Sequence, residues 1–140
     1  MVGELERRGS VRTPGGIVRL EEVSGPRPGN VFAFVMDTRP CRTALELARG
    51  ADLLLMEATF LSAHRELADR YGHSTAADAA RTAREAGARR LALGHFSQRY
   101  PDAGEHLEEA RSVFPDVTVL ADLDRVPIPR LGARAASKSI

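Results

Sequence analysis

Cysteine is nearly absent: Cys41 stands alone in 140 residues, which excludes a disulfide framework and a multi-cysteine zinc site. Tryptophan is missing, and two Tyr and five Phe lie scattered. No stacking platform for single strands is written here. Long apolar runs are missing too. The longest, Val31 to Met36, has six residues, against the roughly 20 a membrane span needs. The residues after Met1, Val-Gly-Glu-Leu-Glu-Arg-Arg, lack the apolar middle of a secretory signal. The expectation is a soluble, cytoplasmic protein with no membrane partner. Charge of one sign is also scarce. Twenty Lys and Arg against nineteen Asp and Glu leave a net +1, so no bulk field points to nucleic acid or a membrane surface. No phosphate-cradling glycine loop and no Gly-x-Ser-x-Gly elbow occurs.

What is present reads as alternating strands and helices. Ser10 to Thr13 and Ile17 to Leu20 flank Pro14-Gly15-Gly16, a β-ribbon signal, and Ser24 to Asn30 is loop-forming. Val31 to Met36 and Asp52 to Glu57 are apolar enough for strands buried on both faces. Between them, Ala44, Leu45, Leu47 and Ala48 make a helical stripe that Gly50 ends; Asp37 or Thr38 would cap it, with Pro40 in its first turn. A short helix is expected around Ala63 to Asp69. Thr75 and Asp78 have capping-box spacing before an alanine-rich helix that Gly87 stops. Arg90 to Gly94 and Val117 to Leu120 are further strands, with a helix near Gly104 to Ser112 between them. Val126-Pro-Ile-Pro129 suits only a sheet edge. The order implies a layered α/β sheet. Three segments divide the chain: a ribbon and loop over 1–30, an α/β unit over 31–130, and a small basic disordered tail over 131–140.

Polar residues follow three strand ends, where open α/β sheets place their sites: Asp37, Glu57 and His95. Each has a plain reading beside a chemical one. Asp37 is a helix cap or a metal-bridging carboxylate. Glu57 ends a buried strand, where an unpaired carboxylate is costly; it pairs with an arginine or orients a catalytic histidine. His73 precedes a helix start and could donate a proton. His95, beside Ser97 and Arg99, is a satisfied histidine or a ligand. His64 and His106 lie among charged helix residues and read as solvated; Cys41 reads as a small helix residue. The histidines are 9, 22 and 11 positions apart, so no closely spaced ligand pair exists. A catalytic zinc wants three protein ligands. Asp37 and His95 are at most part of such a set.

In order, these residues resemble ribonuclease Z, the transfer-RNA 3′-processing endoribonucleases of the metallo-β-lactamase fold. Met36-Asp37-Thr38-Arg39 is similar to the family's Gly-Asp-Thr-Arg. Met56-Glu57-Ala58-Thr59-Phe60 is similar to its His-Glu-Ala-Thr-Phe, and Gly72-His73-Ser74-Thr75 to its His-Ser-Thr loop. Leu93 to Tyr100 is similar to Leu-Thr-His-Phe-Ser-x-Arg-Tyr, and Asp122 falls at a late Ala-x-Asp motif. The resemblance implies the carboxyl-terminal half of an αββα sandwich, with one mixed sheet and flanking helices. It implies two zinc ions with Asp37 and His95 as ligands, and Glu57 with His73 as the proton-transfer pair. It also implies that Ser97 and Arg99 hold substrate phosphate, with precursor tRNA as the partner. Met36, Met56, Gly94 and Leu120 depart from the pattern. The family's His-x-His-x-Asp-His motif and a further metal histidine are not in the chain. The expectation is therefore a ribonuclease Z-like zinc endoribonuclease portion, inactive alone, completed by a homodimer partner or a missing amino-terminal half. The rival expectations are a non-catalytic or split-enzyme module, another hydrolase of the same fold, and a flavodoxin-like phosphate binder.

Overall fold

The structure, a computed structural model, describes residues 1–25 and 29–128; the expected tail lies outside the described residues. Helix α1 (Val2–Arg8), strands β1 (Ser10–Thr13) and β2 (Gly16–Arg19), and helix α2 (Leu20–Val23) come first. The expected ribbon forms: β1 and β2 pair antiparallel, Ser10 opposite Arg19 and Thr13 opposite Gly16. The flanking helices were not anticipated, and neither has a buried residue.

The main body follows: β3 (Phe32–Val35), α3 (Arg42–Ala48), β4 (Leu53–Glu57), α4 (Arg65–Tyr71), α5 (Ala76–Ala86), β5 (Leu91–Gly94), α6 (Gly104–Arg111) and β6 (Val117–Val119). A 3-10 turn, Ser62–His64, leads into α4. Strand order is β3-β4-β5-β6, and every pairing is parallel. The expected mixed sheet is corrected in this respect, because the antiparallel pair forms a separate ribbon. Parallel neighbours need crossover connections, and these are right-handed in nearly all proteins. An order that never reverses therefore sends each crossover helix to the same face.

The register confirms this. Ala33, Leu54, Leu91 and Val117 align across the sheet, as do Val35, Met56, Leu93 and Val119. Both rows pack against Ala44 and Ala48 of α3, Ala76, Ala79, Ala80 and Ala83 of α5, and Ala110 of α6. Small alanines let the helices sit close on the sheet, and Phe96, Tyr100 and Phe114 pack against this core from its margin. The opposite face carries Phe32, Phe34, Leu53, Leu55 and Ala92. Residues 120–128 cross part of it as non-strand chain, leaving a groove of about 250 Å³ lined by Phe32, Leu53, Leu55, Ala92, Val126 and Ile128. The edge strand expected at Val126 is not formed. Phe34 remains 58% exposed and Phe32 49%.

Two caps decide local geometry. Thr75 accepts from the Asp78 amide, and Asp78 accepts from the Thr75 amide, the expected capping box. Helix α3 instead begins after Cys41, so neither Asp37 nor Thr38 caps it. The Pro40 ring precedes the helix rather than entering its first turn. Asp37 therefore has no capping role.

Asp78 is buried and also binds the guanidinium groups of Arg65 and Arg81. Burial pushes its carboxyl up, but hydrogen bonds from Arg65, Thr75 and Arg81 outweigh that and hold it at about 2. A folded-state value below the unfolded one stabilises the fold above about pH 4 and loses that contribution as pH falls toward 2. Asp78→Asn is expected to remove about 2 kcal/mol at neutral pH and to flatten the acid limb of stability. Urea titrations at pH 7 and pH 3 check this; equal losses at both pH values would contradict it.

Candidate metal and catalytic site

The carboxyl ends of β3, β4 and β5 converge with the turn before α5. Asp37 follows β3, Glu57 ends β4, His95 follows β5, and His73 sits just before the α5 cap. Asp37 and His95 both adopt left-handed backbone, with φ 50 and φ 58. Non-glycine residues rarely do so, and such strain gathers at functional sites. The loops are bonded to one another. The Ser97 amide donates to the Thr59 carbonyl at 3.1 Å, and the Phe60 amide to the Ser74 carbonyl at 3.3 Å. Ser74 Oγ donates to the Thr38 carbonyl at 2.7 Å.

Glu57 is the hub. Its side chain has no exposure. It accepts from the amides of Thr38 at 2.5 Å and Ser74 at 3.1 Å, and from Thr59 Oγ1 at 2.6 Å. His73 Nδ1 lies 3.1 Å from both carboxylate oxygens. Among the described residues no arginine pairs with Glu57; its side-chain partners are Thr59 and His73.

One proton fixes the rest. Thr59 has a single hydroxyl hydrogen and gives it to Glu57. His95 Nδ1, 2.8 Å from the same oxygen, must therefore donate to it. His95 Nε2 then lies 3.2 Å from Asp37 Oδ1, as a lone pair when the ring is neutral and as an N–H donor when it is protonated. In the same way His73 turns Nδ1 to Glu57, so that Nε2 faces the site, as a lone pair when the ring is neutral and as an N–H donor when it is protonated. One ligand atom from each of Asp37, His73 and His95 lies within 4.8 Å of the others. Electron-pair donors facing one another at such distances suit a cation. Histidines held by a second shell of Glu and Thr are the usual arrangement around zinc. The residues present thus fit one ion, and His73 stands as a third possible ligand that spacing alone did not supply.

Ser97 and Arg99 lie on the loop after β5. The Arg99 guanidinium sits 5.8 Å from the centre of the Phe60 ring, and that ring is 6.2 Å from His73. Arg99 is thus carried to the site's rim, and the Ser97 hydroxyl accepts from the Arg99 amide at 3.4 Å. Tyr100 was quoted in a motif but given no role. Its hydroxyl accepts from the Leu61 amide at 3.0 Å and meets His64 Nδ1 at 2.8 Å, clasping this loop to the turn after β4. His64 is thus half-buried and bonded, not solvated. His106 departs further. It is fully buried, neither ring nitrogen has a partner among the described residues, and it packs on Phe96 and edge-on to Tyr100 at 4.6 Å. Burial pushes its ring pKa down, keeping it neutral. Helix α6 turns it inward while Glu105 and Glu108 are exposed. Thr59 and Tyr100 had no sequence signal beyond their place in the motifs, because a hydroxyl link across 36 or 39 positions has no periodicity.

A strained Asp and His at the carboxyl ends of parallel strands, braced by a buried Glu, form a site whose donor atoms suit a metal ion. The family model for the β-lactamase superfamily domain matches residues 15–96, and the chain belongs to that family. The metallo-β-lactamase fold protein YhfI from Bacillus subtilis superposes with a TM-score of 0.58 at 27% identity, covering 64% of this chain and 36% of that one. The expected α/β metallo-β-lactamase-like class stands on these matches.

The motif resemblance to ribonuclease Z is borne out as well. The ribonuclease Z of Nocardia farcinica (strain IFM 10152) is 53% identical over 129 residues, spanning 91% of this chain and 42% of that protein. A long-form RNase Z from yeast superposes with a TM-score of 0.54 at 32% identity, over 63% of this chain and 12% of that one. The chain thus spans about two fifths of the length of the curated relatives it matches. Among the described residues, no helix is long and apolar enough to cross a membrane.

Proposed function

We propose that the chain is the carboxyl-terminal portion of a zinc-dependent endoribonuclease that removes 3′ trailers from transfer-RNA precursors, and that it is inactive by itself. The observation that carries this is the Asp37–His95–Thr59–Glu57–His73 chain of contacts, found in a chain similar to ribonuclease Z. Asp37 and His95 are the metal ligands, with His73 close enough to join them. Bound zinc would supply Lewis-acid activation of water and charge stabilisation at phosphorus. The chain's own residues do the rest. Glu57 holds the His73 ring so that Nε2 faces the leaving oxygen and protonates it. Ser97 and Arg99 neutralise the phosphate. Thr59 locks the His95 tautomer.

Three ligands suffice for one ion, not for the two of the family's site. The bare sheet face supports the same reading, since an apolar surface of this kind calls for a cover. The missing half of the sandwich, or a second subunit in a cytoplasmic homodimer, would supply it. The test is incubation of the purified chain with zinc and a 3′-extended precursor tRNA, with and without a polypeptide bearing the His-x-His-x-Asp-His segment. Cleavage beside the discriminator nucleotide is expected only in the complemented mixture. Cleavage by the chain alone would overturn the inactivity, and silence in both would overturn the nuclease reading.

A further inference from the structure

We propose that Arg39 is a second phosphate-binding residue, and that with Arg99 it selects a polynucleotide over a small phosphodiester; this rests on the ribonuclease reading. The argument begins with Gly72. It ends α4 in left-handed backbone at φ 77, and a Cβ placed there would stand 3.4 Å from Arg39 Nη2 and 3.9 Å from Nε. Without a side chain at Gly72, the edge of the Arg39 guanidinium lies against the residue immediately before His73.

The loop that carries Arg39 cannot swing freely. The Thr38 amide is held by Glu57, and the Thr38 carbonyl by Ser74 Oγ. Arg39 is thus placed by the same contacts that place the site. Five arginines of this body have carboxylate partners, Arg42 with Glu46, Arg65 and Arg81 with Asp78, Arg89 with Asp52, Arg90 with Asp116. Among the described residues, neither Arg39 nor Arg99 has one. Arg49, Arg70, Arg84, Arg111 and Arg125 have none either, so the place of Arg39 and Arg99 beside the site, not the lack of a partner, is what sets them apart. The two meet His73 through different neighbours, Arg39 through Gly72 and Arg99 through Phe60.

A guanidinium held at a site without an anion is built for a planar, bidentate acceptor such as phosphate. Two of them, on separate loops around the proton donor, match phosphates on both sides of a scissile linkage. A mononucleotide diester offers only one. The substrate class is therefore an RNA strand that continues past the cleavage point in both directions.

The test uses the full chain and a fluorescein-labelled single-stranded RNA of ten nucleotides, read by anisotropy across a sodium chloride series. Arg39→Gln is expected to weaken binding several-fold at low salt. It should lower the slope of log K against log salt by about 0.7, one phosphate contact's worth on a single strand. Arg39→Lys should keep the slope and lose part of the affinity. Arg84→Gln, an exposed charge near the far end of α5, controls for net charge and should leave the slope unchanged. Unaltered melting of Arg39→Gln would show that folding is intact. If Arg39→Gln and Arg84→Gln behave alike on RNA that binds the wild-type chain, this inference fails alone. If the wild-type chain binds no RNA, the ribonuclease reading fails with it.

Discussion

Glu57→Ala is expected to cost the chain about 3–5 kcal/mol, the range for removing one partner of a buried charged network. The side chain is wholly enclosed and accepts from two amides, a hydroxyl and an imidazole. Alanine removes the acceptor and leaves all those donors in place. The Ser74 amide is buried, where an unmade hydrogen bond costs about 1–3 kcal/mol. Domains of this kind have roughly 5–15 kcal/mol in total, so the variant stands near the folding threshold. Glu57→Gln keeps the volume and one acceptor oxygen, but turns an amide donor toward groups that themselves donate. It should fall between wild type and alanine. Urea denaturation followed by far-ultraviolet circular dichroism measures both. A loss under 1 kcal/mol for alanine would show that the loops are held by something other than this carboxylate.

The second large effect is chemical. In the complemented enzyme, His73→Ala is expected to lower turnover by about 10²–10⁴, the span for losing a placed general acid. The two roles open to His73 separate cleanly. As the proton donor alone, its removal leaves bound zinc per chain unchanged while turnover falls. As a third ligand, its removal lowers zinc content as well. Metal content by atomic emission, measured beside precursor cleavage, distinguishes them. Unchanged turnover with full zinc would refute both roles. His95→Ala is the reference, since it breaks the Nε2 contact to Asp37 and the Nδ1 contact to Thr59 together.

Much of this was legible from the residues. Strands with continuous apolar runs declared themselves, and Val31 to Met36 and Leu53 to Met56 became β3 and β4; the expected burial on both faces holds for β4 but not for the edge strand β3, whose Phe32 and Phe34 are exposed. The Thr75–Asp78 box and Gly87 bounded α5 correctly because caps are local hydrogen-bond chemistry. The α3 cap was misplaced, since Asp37, Thr38 and Cys41 all lie before the first turn and only tertiary demand on Asp37 decides among them. His106 was misread for a related reason. Its neighbours in sequence are charged, but its neighbours in space are Phe96 and Tyr100, on a loop reached only when β5 and α6 pack. The site residues were chosen from strand ends and motifs, and the structure brings Asp37, His73 and His95 together. The proton logic through Thr59 was beyond reach, because it depends on a single oxygen lying between Glu57 and His95.

The one-way strand order has a cellular consequence. With every crossover helix on one side, Phe32 and Phe34 face outward from the edge strand β3. A free copy released from the ribosome would show chaperones and proteases the greasy stripe they are built to find. If the proposed missing half or second subunit seals that surface, its supply would set how many copies survive.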